Sequence, residues 1–105
     1  MITVLVVTPG TDPEELAGRH PAVEVLTAHG VEDALEKLGR NRRIDAVLLL
    51  AGEENQAIVV AIREDNPAHP PLYLPGGEAP IGGTRPLPAG GPAKLLDLIR
   101  RELDG

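Results

Sequence analysis

The residues of this chain that could do chemistry follow predicted buried strands. Thr8 ends a first apolar run, and Asp12 comes four residues later. Glu53 and Glu54 come directly after a second apolar run, and Arg85 lies in a short extended segment further on. Because the carboxyl ends of parallel strands form the usual binding edge of such sheets, these side chains could surround one pocket. Carboxylates there could hold a cation, and threonine with arginine could bind an anion.

Each of these residues also has a purely structural interpretation. Asp12 precedes Pro13 and can cap a predicted first helix. Glu53 and Glu54 are acids in the first turn of a later helix, where the helix dipole stabilises negative charge. We expect Arg85 to pair with Glu53 or Asp12 if it reaches the same edge. No nucleophile–base pair is evident, so the sequence predicts a protein that is not an enzyme.

Composition excludes several classes of function. The 105 residues predict a single domain, 1–105, and the chain has no cysteine for disulfides or thiolate ligands. Its histidines, His20, His29 and His69, are scattered on loops, so we expect no metal and no cofactor. The net charge of −6 argues against direct binding of nucleic acid. No signal peptide or membrane-length apolar run is present, which predicts a cytoplasmic protein away from the membrane.

The hydrophobic pattern alternates between strands and helices. Strands are predicted at 2–8, 23–27, 44–51, 71–74 and 84–87. A first helix is predicted to start at Asp12, and three further helices to span about 31–40, 55–65 and 92–104. Six of the nine residues at 75–83 are Pro or Gly, so no helix fits between the last two strands. This order predicts an α/β three-layer sandwich whose five-stranded parallel sheet has the order 2-1-3-4-5.

Three segments resemble response-regulator receiver domains. The stretch from Thr27 to Leu38 is similar to the second strand and helix of receivers, with a Gly, an acidic pair and Ala-Leu. Asp45 to Leu49 looks like the start of their third strand, and Arg85-Pro86 like the Lys-Pro of their fifth. The resemblance covers nearly the whole chain. It implies a flavodoxin/CheY-like fold and an Arg85–Pro86 bond in the cis form.

The chain departs from receivers where their phosphorylation chemistry lies. Their magnesium-binding acidic pair is matched by Thr8 and Pro9, and their phosphoacceptor aspartate by Leu50. Their hydroxyl residue after the fourth strand is matched by Pro75, and their lysine by Arg85. Leucine cannot accept a phosphoryl group, and Mg²⁺ needs hard oxygen ligands. The resemblance therefore implies a degenerate pseudo-receiver.

A second departure concerns the surface on which receivers dimerise or meet partners. Their fourth helix is here reduced to the Gly/Pro-rich segment 75–83, which would uncover Leu74, Ile81, Leu87 and Leu95 as an apolar interface. Alternatively, the side chains of Leu74, Ile81 and Leu87 fold back and cover the gap that the missing helix leaves. We predict a signalling module that binds a protein partner or forms a homodimer. The alternative is a small-ligand-binding protein or an enzyme that uses the carboxyl edge.

Overall fold

A computed structural model describes residues 2–8, 23–41, 43–76, 81–88, 90 and 92–104, with only the backbone described at 92 and 93. The predicted first helix and its cap Asp12 lie outside these residues, as does Pro9. The strands are β1 (Ile2–Val7), β2 (Val23–Ala28), β3 (Ala46–Leu49), β4 (Leu72–Pro75) and β5 (Thr84–Leu87). They form one parallel sheet in the order β2-β1-β3-β4-β5, which confirms the predicted topology.

The third strand is shorter than the apolar run that predicts it. Ladder-like hydrogen bonds nevertheless continue beyond both of its ends. Asp45 N donates to Thr3 O at 2.8 Å, and Leu50 N donates to Val7 O at 2.8 Å. The segment around β3 is therefore tied to β1 over nearly the predicted length.

Three helices occur among the described residues: α1 (Val31–Arg40), α2 (Asn55–Asp65) and α3 (Pro92–Asp104). A 3₁₀ turn, Gly52–Glu54, leads into α2. At the start of α1, His29 N donates to Asp33 Oδ2 at 2.9 Å. This backbone hydrogen bond is the main reason that the pKa of Asp33 is lowered. The Lys37 ammonium then ties α1 back to the Thr27 carbonyl of β2.

The core lies on both faces of the sheet. Along β1, Leu5 and Val7 pack with α1 and α2, while Val4 and Val6 pack against α3 on the other side. All four side chains are fully buried. A strand buried on both faces needs a continuous apolar run, which is the pattern that the sequence shows here. The arrangement confirms a layer of helices on each face of the sheet.

Candidate functional site at the carboxyl edge of the sheet

Leu50 and Thr8 lie side by side at the carboxyl ends of β3 and β1. Val7 and Leu49 are paired in register, so the residues that follow them leave the sheet together. Thr8 is 6% exposed, and its N–H donates to Ala28 O at 2.9 Å. The Leu50 side chain is partly buried and packs against the core cluster that includes α3 residues. The end of the third strand is thus occupied by hydrocarbon.

Glu53 and Glu54 lie on the 3₁₀ turn between β3 and α2. Both side chains are exposed. Gly52 has φ 61°, a left-handed conformation that favours glycine and turns the chain away from β3. Within the described ranges, no group of three or more His, Asp or Glu side chains is placed to hold a metal ion.

Asn55, the first residue of α2, is a feature of this edge that the sequence analysis missed. It is 1% exposed, and its Oδ1 accepts a hydrogen bond from Ala51 N at 2.9 Å. Its Nδ2 is buried without a hydrogen-bond partner. A buried amide that lacks an acceptor carries an uncompensated desolvation cost. An asparagine at a helix start is ordinarily an exposed cap, so the sequence contains little signal that this one is buried.

The Arg85 side chain pairs with Glu102 of α3 and not with Glu53, whereas Asp12 lies outside the described residues. Arg85 Nη1 donates to Glu102 Oε1 at 3.1 Å, and its guanidinium lies 6.0 Å from the centre of the Tyr73 ring. Glu102 is in the last turn of α3, which runs back along the sheet after β5. Arg85 itself is inside β5, in register with Tyr73 of β4. The Arg85–Pro86 bond is trans, against the expectation from receivers.

The Arg85 pair also affects ionisation. The hydrogen bond to Glu102 is the largest of the effects that raise the pKa of Arg85. Burial raises the pKa of Tyr73, and the negative charge of Glu102 adds to the increase while Arg85 opposes it. The Tyr73 hydroxyl is buried and makes no hydrogen bond.

The apolar residues predicted to form an exposed patch lie in the core instead. Leu74 packs with the α1 and α2 side, and Leu87 and Leu95 pack with the α3 side; their exposures are 4%, 6% and 1%. Ile81 is partly buried against the α1 and α2 side. Leu74, Ile81 and Leu87 are thus turned toward the core. Whether this side of the chain meets a partner stays a prediction, but these three leucine side chains are not available to one.

The large hydrophobic side chain that is most clearly exposed in the described chain is on α2. Val60 is 48% exposed. Beside it are Ala57 and the partly buried Ala61, and acidic or polar residues border the strip at Glu53, Gln56 and Glu64. We call this set the α2 strip. It is a shallow, open surface on the outside of the α1 and α2 layer.

None of the described helices is both long enough and apolar enough to cross a membrane. No protein-family model matches the sequence, and no curated protein matches it. Among solved structures, the chain is similar to the Francisella novicida lysine decarboxylase LdcF, with a TM-score of 0.56 and 14% identity. The match covers 95% of this chain and 16% of the decarboxylase chain. At this identity the likeness concerns the fold alone, which is a flavodoxin/CheY-like parallel sheet of order 2-1-3-4-5.

Proposed function

We propose that this chain is a receiver-like signalling module that cannot be phosphorylated and that acts by binding protein, either a second copy or another partner. The observation that carries the proposal is Leu50 at the end of β3. Its hydrocarbon side chain occupies the strand end beside Thr8 and packs into the core. The fold is therefore retained while the position that would react is chemically inert.

Among the described residues of this edge, no side chain replaces the missing carboxylate. Phosphoryl transfer to a side chain needs an acceptor oxygen and a cation that neutralises the developing charge. Glu53 and Glu54 sit on an exposed turn, outside the strand end. Thr8 is buried, with a neutral hydroxyl that is a poor ligand for Mg²⁺ compared with a carboxylate. These features support a role that does not depend on phosphorylation.

We place the binding surface on the α2 strip instead of on 74–87. Val60 supplies exposed apolar area, and Glu53 and Glu64 give the strip acidic borders. Acidic borders favour a partner surface that carries Lys or Arg around an apolar centre. The exposed apolar area is small, which agrees with a weak and transient contact.

Phosphorylation independence is tested with a small phosphoryl donor. The full chain is incubated with Mg²⁺ and acetyl phosphate and then compared with untreated protein by intact-mass spectrometry and sedimentation. We expect an unmodified mass and an unchanged sedimentation coefficient. A phosphorylated species, or association that requires the donor, would contradict the proposal.

The position of the surface is tested with two charge-introducing variants. Val60→Asp places a carboxylate in the α2 strip, whereas Pro88→Asp places one at an exposed site just after β5. We expect Val60→Asp to weaken self-association, or binding of an identified partner, by about tenfold, as for loss of a contact near the centre of an interface. Pro88→Asp should leave binding unchanged. The reverse result would move the surface to the β5 side of the molecule.

A second candidate function, a small-ligand site at the carboxyl edge, is favoured by one observation. Asn55 Nδ2 has no acceptor although it is buried beside the loop that follows β3. Arg85, which would have supplied the cation of such a pocket, pairs with Glu102 of α3. A thermal shift of the chain with inorganic phosphate or a nucleotide, lost in Asn55→Ala, would favour this second candidate.

A further inference from the structure

A cavity lies at the amino end of the sheet, away from the site discussed above. It has a volume of about 560 Å³ and lies between the last turns of α1 and α2. Its walls include three apolar side chains, Leu38, Ile44 and Pro70, and three polar ones, Asn41, Asp65 and Asn66. The volume is in the range of sites for small organic molecules.

Two helix carboxyl ends meet at this cavity. α1 ends at Arg40 and α2 at Asp65, and the residue after each helix lines the wall. The N–H groups of Asn41 and Asn66 donate to the carbonyls of Lys37 and Ile62, both at 2.9 Å. The other carbonyls of each last turn carry the negative ends of two helix dipoles. Together with the Asp65 carboxylate, they make the wall favourable for positive charge.

Of the arginines near the end of α1, the two that the structure describes, Arg40 and Arg43, do not occupy this wall. Arg40 Nη2 pairs with Glu36 Oε1 at 3.1 Å, one helical turn back, so its guanidinium is directed away from the carboxyl end of α1. Arg43 is exposed on the segment that follows α1, and it does not line the cavity. Its positive charge weakens the attraction for a cation without removing it.

We infer that this cavity binds a small organic cation, of the class of a primary ammonium on a short alkyl chain. The ammonium group lies at Asp65 and the two helix carboxyl ends, where its charge and its donors meet acceptor oxygens. The alkyl chain packs on Leu38, Ile44 and Pro70. Neither the ammonium group nor the alkyl chain would bind tightly alone, because the polar wall lies at the surface and the apolar wall is small. This site is independent of the function proposed above.

The test is an amide NMR titration of the full chain with three probes of similar size: n-butylammonium, 1-butanol and butyrate. Ionic strength is held constant throughout. We expect n-butylammonium to shift amides of Gly39, Asn41, Ile44 and Asn66, with a smaller response to 1-butanol and none to butyrate. An equal response to the alcohol, a stronger response to butyrate, or no clustered shifts would overturn the inference.

Two matched variants separate a local site from a general effect of charge. Asp65→Asn removes a carboxylate from the cavity wall and should weaken n-butylammonium binding by about fivefold. Glu64→Gln removes the same charge one residue away, on the α2 strip, and should leave binding within about twofold. Equal weakening by both variants would mean that no local site exists.

A third variant tests the same site by removing a positive charge instead of a negative one. Arg43→Gln removes an exposed positive charge that opposes the ligand, so it should strengthen binding by about twofold. Because Arg43 is on the surface, this variant is expected to fold even if Asp65→Asn does not. Unchanged or weaker binding in Arg43→Gln would count against the site.

Discussion

The carboxyl end of the sheet differs from the rest of the sheet in how completely its polar groups are paired. At the carboxyl end, Leu50 fills the strand end, and the buried amide of Asn55 has only one of its two functions satisfied. Elsewhere on the sheet, two charged groups have partners: Asp45 Oδ2, at the amino end, accepts from Thr3 N at 2.8 Å, and Arg85, on β5, pairs with Glu102 at 3.1 Å. The sheet is thus intact although Leu50, at the edge where such sheets usually bind ligands, carries no reactive group.

This contrast shows that the frame and the chemistry have separate physical origins. The frame rests on apolar residues such as Val4, Leu5, Leu48 and Leu49, which are fully buried on the two faces of the sheet. Leu50, just past the end of β3, is only partly buried and so contributes less to that burial. Replacement of a carboxylate there by leucine can therefore abolish a reaction while the sheet remains intact.

The largest effect that we predict comes from Leu87→Asp, at the carboxyl end of β5. Leu87 is 6% exposed among α3 residues, so the substitution buries a carboxylate without a partner. We expect the free energy of unfolding to fall by about 3 to 5 kcal/mol. Urea denaturation measures the change. Val60→Asp, at a half-exposed site, is the control and should cost no more than about 0.5 kcal/mol. Similar losses in the two variants would mean that the carboxyl end is not packed as described.

A smaller effect is predicted for Asn55→Ala. The substitution removes the acceptor of the buried Ala51 N–H, but it also removes the unsatisfied Nδ2. The net loss in the free energy of unfolding should be about 1 to 2 kcal/mol, measured by urea denaturation. Gln56→Ala, at the next and exposed position, should have almost no effect. Stabilisation by Asn55→Ala would show that the orphaned amide outweighs the hydrogen bond.

The smallest predicted effect is on thermal stability, concerns Tyr73 of β4, and appears only at high pH. Burial raises the pKa of Tyr73 above its ordinary value of 10.0, so the folded chain holds the phenol proton more tightly than the unfolded chain. The stabilisation is fully present below pH 10 and is lost as the pH rises through the folded pKa. We expect the thermal unfolding temperature to fall above pH 10 in the wild type. Tyr73→Phe should lack this part of the fall and should be at least as stable as the wild type near neutral pH, since the hydroxyl that it removes is buried without a hydrogen-bond partner. Identical pH profiles would contradict the assignment.

Patterns of local sequence were sufficient for most of the frame. The helix Asn55–Asp65 and the helix Pro92–Asp104 have the predicted bounds, because an apolar stripe and helix-breaking neighbours act within one element. The strand order followed from the alternation of strands and helices. The helix bounds depend on residues that are close in the chain, whereas the strand order follows from the general rules for alternating strands and helices.

The site was predicted less well because its geometry depends on residues that are far apart in the chain. Arg85 meets Glu102 only because α3 runs back along the sheet, and spacing in the sequence does not encode that contact. Leu74 is buried in the cluster against which Ile81 packs, and Leu87 is buried among residues of α3. Asn55 was treated as an ordinary helix start. Only tertiary packing makes it a buried polar group.

The most direct test of the central claim is an amide NMR titration of the full chain with Mg²⁺ and beryllofluoride, a mimic of the phosphoryl group. The strand end at Leu50 offers no acceptor oxygen, so we predict no shifts at Thr8, Leu50 or the turn Gly52–Glu54. Saturable shifts clustered at these residues would show that a phosphoryl-binding site persists at the carboxyl edge. That result would contradict the proposal of a module that works without phosphorylation.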